Sequence, residues 1–224
     1  MELKIKSWKE CTISKYYKIC DIIEDDEIQT YDKEVALLAL LCDCEENEIW
    51  ELNFNEFKKL QSMTSWIGEI ELKKIENLKF KTIIIDNKKY SINGDLSKFT
   101  TAQYIDFQTF WAKRNTSKMK DIIGNILVCF IIPYGHKYGD GYDLQETAKT
   151  IYDNLDIETA YEIISFFFRS WVGSIKDSLT YSALKMKKLK KKMSKEEWHE
   201  TIKNLVEMEQ SLIDGFCLLT TSVN

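Results

Sequence analysis

The residues whose types suit chemistry are few and scattered. His136 sits in the glycine-dense stretch from Tyr134 to Tyr142, with Asp140 and Asp143 beside it. An imidazole that titrates near neutral pH, next to two carboxylates, is raw material for a general base or an ion site. The acidic spacing lacks the ligand count and closing glutamate of a calcium loop, and the other histidine, His199, lies far along the chain. A surface loop is therefore the favoured reading, and an enzyme working from the loop between Pro133 and Asp143 is the disfavoured one. Cys42-x-Cys44 offers two thiols, but a structural zinc site takes four ligands and no second pair follows. Phosphate-cradling glycine loops, nucleophile elbows, paired ligand histidines and CxxC pairs are missing from the sequence. The expectation is no enzyme: no catalytic residue, no cofactor and no metal.

Charge is the second chemical signal. Seven lysines fall between Lys185 and Lys195, around Met186, Leu189 and Met193. At helical spacing they make a cationic rod with a thin apolar strip, which suits a solvated helix, a helix against an acidic partner, or one near phosphates. The whole chain carries a formal charge of −5 and its arginines are Arg114 and Arg169. Readers of base edges usually offer more arginine, so nonspecific proximity to DNA is open and sequence-specific reading is not expected.

These residues need a scaffold, and the composition supplies one. The 224 residues are 44% hydrophobic, 12% aromatic and 30% charged, with one proline and eight glycines. That is a globular balance with little linker material, so one body or two closely packed subdomains is expected, divided as residues 1–76 and 77–224. The start, MELKIKSWKE, has no apolar stretch after its lysines, and an uninterrupted run of about 18 apolar residues occurs nowhere, so the reading is a cytosolic chain with no membrane span. The six cysteines fall mostly in apolar helical patterns and are read as reduced thiols.

Periodicity then places the elements. A helix starts at Thr12 or Ser14 and carries Ile13, Tyr17, Cys20 and Ile23. After the acidic turn Glu24 to Glu27, Asp32 caps a second helix, apolar nearly all round. A short charged helix spans Glu45 to Leu52, and Asn53 or Asn55 caps a fourth with Phe57, Leu60, Thr64 and Ile67 on one side. The β-branched run at Ile83 to Ile85 and the turn residues Asp86 to Lys89 before Tyr90 to Ile92 predict a β-hairpin near residues 80–92. Such a ribbon must lie on helices or pair with another strand, so its edge is a candidate contact. Thr100 or Thr101 caps a helix with Tyr104, Phe107 and Trp111. Met119 to Ile132 predicts an apolar helix stopped by Pro133. Asp143 to Asn154 follows, and Asp156 caps a helix with Ile157, Ala160, Tyr161, Ile164, Phe167, Phe168 and Trp171 as a core or interface stripe. A further helix from Ser174 runs into the lysines, and Ser194 with Glu197 caps the last one, bearing Trp198. The fold expected is mainly α (α+β), a bundle-like body of about nine to ten helices with one hairpin.

Three stretches carry a family resemblance: Ile13 to Tyr17, Asp32 to Leu41, and Asn55 to Leu60. Together with a strand pair like Ile83 to Ile92, a segment like Thr100 to Asp106, an apolar helix ending at Pro133 and the aromatic helix at Phe166 to Phe168, they resemble small tailed-bacteriophage virion and tail-assembly proteins. The likeness covers roughly residues 12–182. It implies a non-enzymatic structural or assembly protein at the portal-tail region or inside the particle, located in the virion or host cytoplasm. Its implied partners are other phage structural proteins and further copies of itself, with no membrane. The segment from Ser174 to Asn224 is longer than a simple tail-assembly chaperone needs, which puts the virion component ahead of a chaperone not retained in the particle. A nucleic-acid-associated protein acting through the lysine-rich helix is the third reading. The residues expected to make contacts are Phe167, Phe168, Trp171 and Trp198, with Lys187, Lys188, Lys190, Lys191 and Lys192. The six tryptophans either supply interface anchors or build an aromatic core.

Overall fold

The structure is a computed structural model that describes residues 1–68, 78, 81–93, 95–167, 170 and 194. The helices expected from Ser174 onward, and the lysine-rich run within them, lie outside the described residues. Eight α-helices lie within them, where about nine to ten were expected over the whole chain.

Four short helices open the chain: α1 (Ile13–Glu24), α2 (Thr30–Cys42), α3 (Glu46–Trp50) and α4 (Phe54–Ser62). Local chemistry sets their starts. The Thr12 hydroxyl accepts the Lys15 N–H at the head of α1, and Asn53 and Glu56 exchange side-chain and backbone bonds at the head of α4. Asp32 is not the cap of α2 but lies in its first turn, where a carboxylate complements the helix dipole; Gln29 holds the cap position. These helices and the segment before them enclose one core, containing Leu3, Ile5, Trp8, Ile19, Leu38, Leu41, Ile49 and Leu60.

The hairpin forms as β1 (Thr82–Ile85) and β2 (Lys88–Ile92), antiparallel with Ile83 opposite Tyr90. Its turn is tighter than expected, because Asp86 and Asn87 both take positive φ, 47° and 57°. These residue types tolerate the left-handed region, and a two-residue turn of this hand matches the twist of the flanking strands. Lys88 and Lys89 thereby become strand residues.

After α5 (Thr101–Ala112) comes the main departure from the sequence reading. The helix expected from Met119 to Ile132 ends early: α6 is Met119–Val128, and β3 (Ile131–Pro133) joins the hairpin to give a sheet of order β1-β2-β3. Ile92 faces Ile131 and Tyr90 faces Pro133. The free edge of β2 outcompetes helix propagation, because β-branched Ile131 and Ile132 lose little by extending and gain ladder bonds. Pro133 fits as the last strand residue, since it has no N–H to offer the ladder.

The described part of the chain closes with α7 (Leu144–Asn154) and a helix over residues 157–167, α8. Asp143 caps α7 through the Gln145 and Glu146 N–H groups, and Asp156 accepts from Thr159 N–H before α8. Together with the sheet, α5 and α6 they enclose a second core, including Ile85, Tyr90, Phe107, Ile126, Phe130, Ile151, Ile163 and Phe167. Helix α1 joins the two cores. Ile13 N–H donates to Leu155 C=O at 3.0 Å, Ile157 N–H to Cys11 C=O at 2.8 Å, and the Tyr17 and Tyr152 rings stack 6.4 Å apart.

Candidate functional site

The glycine-rich loop resolves first. His136 Nδ1 lies 3.1 Å from the Asp140 carbonyl oxygen, and its ring meets Tyr142 edge-on at 5.9 Å. A Cβ on Gly141 would stand 3.0 Å from that Nδ1, so the turn closes on the imidazole itself. Tyr138 donates to Asp106 at 2.9 Å, with the Cys129 sulfur 3.8 Å from the same hydroxyl. Burial pushes the Cys129 thiol up to about 12 and holds Tyr138 above the usual phenol range. Asp143 is occupied as the α7 cap. Tyr138 thus ties the loop to α5 and Asp143 ties it to α7, while His136, the Asp140 carbonyl and Tyr142 close the loop on itself. Among the described residues no three of His, Cys, Asp and Glu come together as a metal-binding group.

Of the residues expected to make contacts, Phe167 is described, and it is 1% exposed, deep in the second core. Phe168, Trp171, Trp198 and Lys187, Lys188, Lys190, Lys191 and Lys192 lie outside the described residues. The tryptophans divide: Trp8 and Trp111 are buried, Trp66 packs edge-on against Trp8 at 4.8 Å, and Trp50 is 56% exposed at the end of α3.

The feature that sequence reading left half-formed is the outer face of the sheet. Strand alternation sends Ile83, Ile85, Tyr90, Ile92 and Ile131 inward and Thr82, Ile84, Lys89 and Ser91 outward. Tyr134 N–H donates to Lys89 C=O at 3.0 Å, which extends the ladder by one residue and puts Tyr134 beside Lys89. The Lys89 ammonium lies over the Tyr134 ring at 4.1 Å. Ile84, Lys89 and Tyr134 therefore form one row across the sheet, with Ile84 76% and Tyr134 58% exposed.

The row ends on an open edge. Ile92 N–H donates to Lys81 C=O, so the bonded positions of this strand are Lys81, Ile83 and Ile85, and the backbone groups of Thr82 and Ile84 point away from β2. Among the described residues no strand pairs with that edge. Within Thr82-Ile83-Ile84-Ile85 there is no charge, proline or bulge of the kind that blunts an edge, and the one charge on this side among the described residues is Lys81 at its start. The signal was present in the sequence as a β-branched run whose alternate isoleucine has no inward place.

No protein-family model, curated protein or solved structure matches this chain. Among the described residues no helix is long and apolar enough to cross a membrane.

Proposed function

We propose that this chain is a non-enzymatic assembly protein that works by protein-protein contact, with the β1 edge as its joining surface and a second copy of the chain as the first partner. The carrying observation is the open edge of Thr82–Ile85, which holds no charged residue, with Ile84 exposed on it and outward backbone groups at Thr82 and Ile84. Two such edges brought together antiparallel meet no like charges, and a two-fold contact of this kind uses one patch twice. This is a role of the sort that the resemblance to tailed-bacteriophage virion and tail-assembly proteins implies, at the portal-tail region or within the particle. The local stapling of His136, Asp140 and Asp143 supports placing that loop in the architecture and not in catalysis.

Light scattering across concentration tests the reading, with the chain compared to Ile84→Lys. The expected result is a mass that rises to a dimer or larger in the native chain and stays monomeric in Ile84→Lys, with equal helical circular dichroism. Equal masses for the two proteins overturn the β1 edge as the joining surface.

A further inference from the structure

Three sulfur-bearing residues of the N-terminal half, Met1, Cys42 and Cys44, border one hollow on the surface, and the backbone brings them there. Helix α2 ends in Cys42, and Asp43 takes a left-handed conformation, φ 55°, with its N–H returned to Ala39 C=O. Cys44 N–H bonds the same carbonyl at 3.1 Å. This reversal turns Cys44 back toward the helix end, so that both cysteines of a Cys-x-Cys sequence line one surface hollow with Met1. The opening segment then lies across the helix end: Lys4 and Ile5 N–H both donate to Leu41 C=O, at 2.9 and 3.2 Å, while Leu3 and Ile5 are buried beneath. That clamp delivers Met1, whose Sδ lies 3.8 Å from Cys44 Sγ.

Cys44 also borders two neighbouring surface hollows. One, of about 400 Å³, is lined by Met1, Glu2, Cys42, Cys44 and Glu48 among others, and the second, of about 380 Å³, shares Asp43, Cys44 and Glu48 with it. Carboxylates outnumber ammonium groups around both, a field that draws cations. Cys44 itself is partly exposed, so an ion reaches it from solvent.

We propose that Cys42, Cys44 and Met1 form a binding site for a soft monovalent metal ion, Cu(I), with two thiolate donors and one thioether. Donor chemistry selects the ion: thiolate and thioether sulfur favour Cu(I), calcium and magnesium want oxygen, and among the described residues no three His, Cys, Asp or Glu side chains converge as a zinc site needs. No electron transfer is involved. Cu(I) forms one bond to each of the Cys42 and Cys44 sulfurs, each thiol gives up its proton to solvent, and a Met1 lone pair supplies the third bond. Two protons leave per ion bound, so affinity rises with pH.

The test is an anaerobic titration of the full chain, carrying Cys217→Ser to remove the thiol outside the described residues, against Cu(I) held by bicinchoninate. One equivalent should pass from the chelator to the protein, and adding Cys44→Ser should abolish the transfer with helical circular dichroism unchanged. In the native chain, one equivalent of Cu(I) should protect Cys44 from alkylation by iodoacetamide, a readout that needs no variant at the site. With selenomethionine in place of methionine, X-ray absorption at the copper edge should show selenium bound to copper. No transfer, transfer that survives Cys44→Ser, or undiminished alkylation of Cys44 overturns the site. A copper shell without selenium overturns Met1 as donor.

Discussion

Phe130 and Phe167 lie face to face, with ring centroids 3.9 Å apart and planes 12° from parallel. Phe130 occupies the turn between α6 and β3, and Phe167 lies near the end of α8, so this stack ties the sheet's third strand to the last described helix. Phe99 and Phe107 flank Phe130 at 5.6 and 5.3 Å. Phe167→Ala should cost about 3 to 5 kcal/mol, the usual range for emptying a buried phenylalanine site. Urea unfolding at constant slope measures it, and a loss below about 1 kcal/mol would show that the neighbouring rings collapse into the space.

Gly124 sets the approach of α6 to α7. A Cβ there would stand 2.7 Å from the Ala148 carbonyl oxygen, which is backbone and cannot swing aside. Gly124→Ala gains about 1 kcal/mol in helix propensity and still should destabilise the chain by about 1 to 3 kcal/mol, as overpacking does. A more stable variant in thermal unfolding would contradict the close approach.

Gln103 is polar and 2% exposed, and it serves two elements. Its side-chain oxygen accepts the Thr100 N–H at 3.2 Å, while its Nε2 donates to Cys129 C=O at 2.7 Å. Gln103→Ala leaves that buried carbonyl without its donor and should cost about 1 to 3 kcal/mol. Gln103→Glu keeps the cap but turns an acceptor toward an acceptor, so it should lose stability as well. A denaturation midpoint equal to the native one in both variants would refute the double role.

Alkaline pH should weaken the fold. Burial raises Cys11 and Cys129 from 9.0 to about 12, and Cys42 from 9.0 to about 11. Above pH 9 the unfolded chain releases these protons while the folded chain keeps them. Stability is therefore whole below about pH 9 and falls as pH rises through the folded values. Unfolding midpoints between pH 8 and 11 should decline, and Cys129→Ala should flatten the decline.

The ion pair between Lys120 and Asp21, 2.7 Å, spans the two cores but is open to solvent on both sides. Asp21→Ala should cost no more than about 1 kcal/mol. A larger loss in chemical denaturation would mean that the pair orients α1 against α6, a role its exposure argues against.

Much of the fold was legible in short stretches of sequence. Thr12, Asn53, Thr100, Asp143 and Asp156 mark helix starts, because a cap is satisfied by N–H groups two or three residues ahead and needs nothing distant. Gln29 was missed because its side chain makes no capping bond, so it left no local signal. The hairpin was legible from its β-branched run, while its exact turn depended on the positive φ of Asp86 and Asn87.

What the sequence by itself determined is the local grammar: mainly helical elements, most of their caps, and one ribbon of strands. Tertiary structure decided the rest, because each remaining feature joins residues far apart in the chain. Ile131 and Ile132 became a strand only when the edge of β2, some forty residues earlier, was there to bond them. Phe167 became core only when Phe130 arrived beneath it, Ile84 and Tyr134 fell into one row only through the register of three strands, and Met1 reached Cys44 only because the opening segment is clamped to the end of α2. Side-chain period predicts which face of an element is apolar, but the contact that covers that face, or leaves it bare, is set by packing.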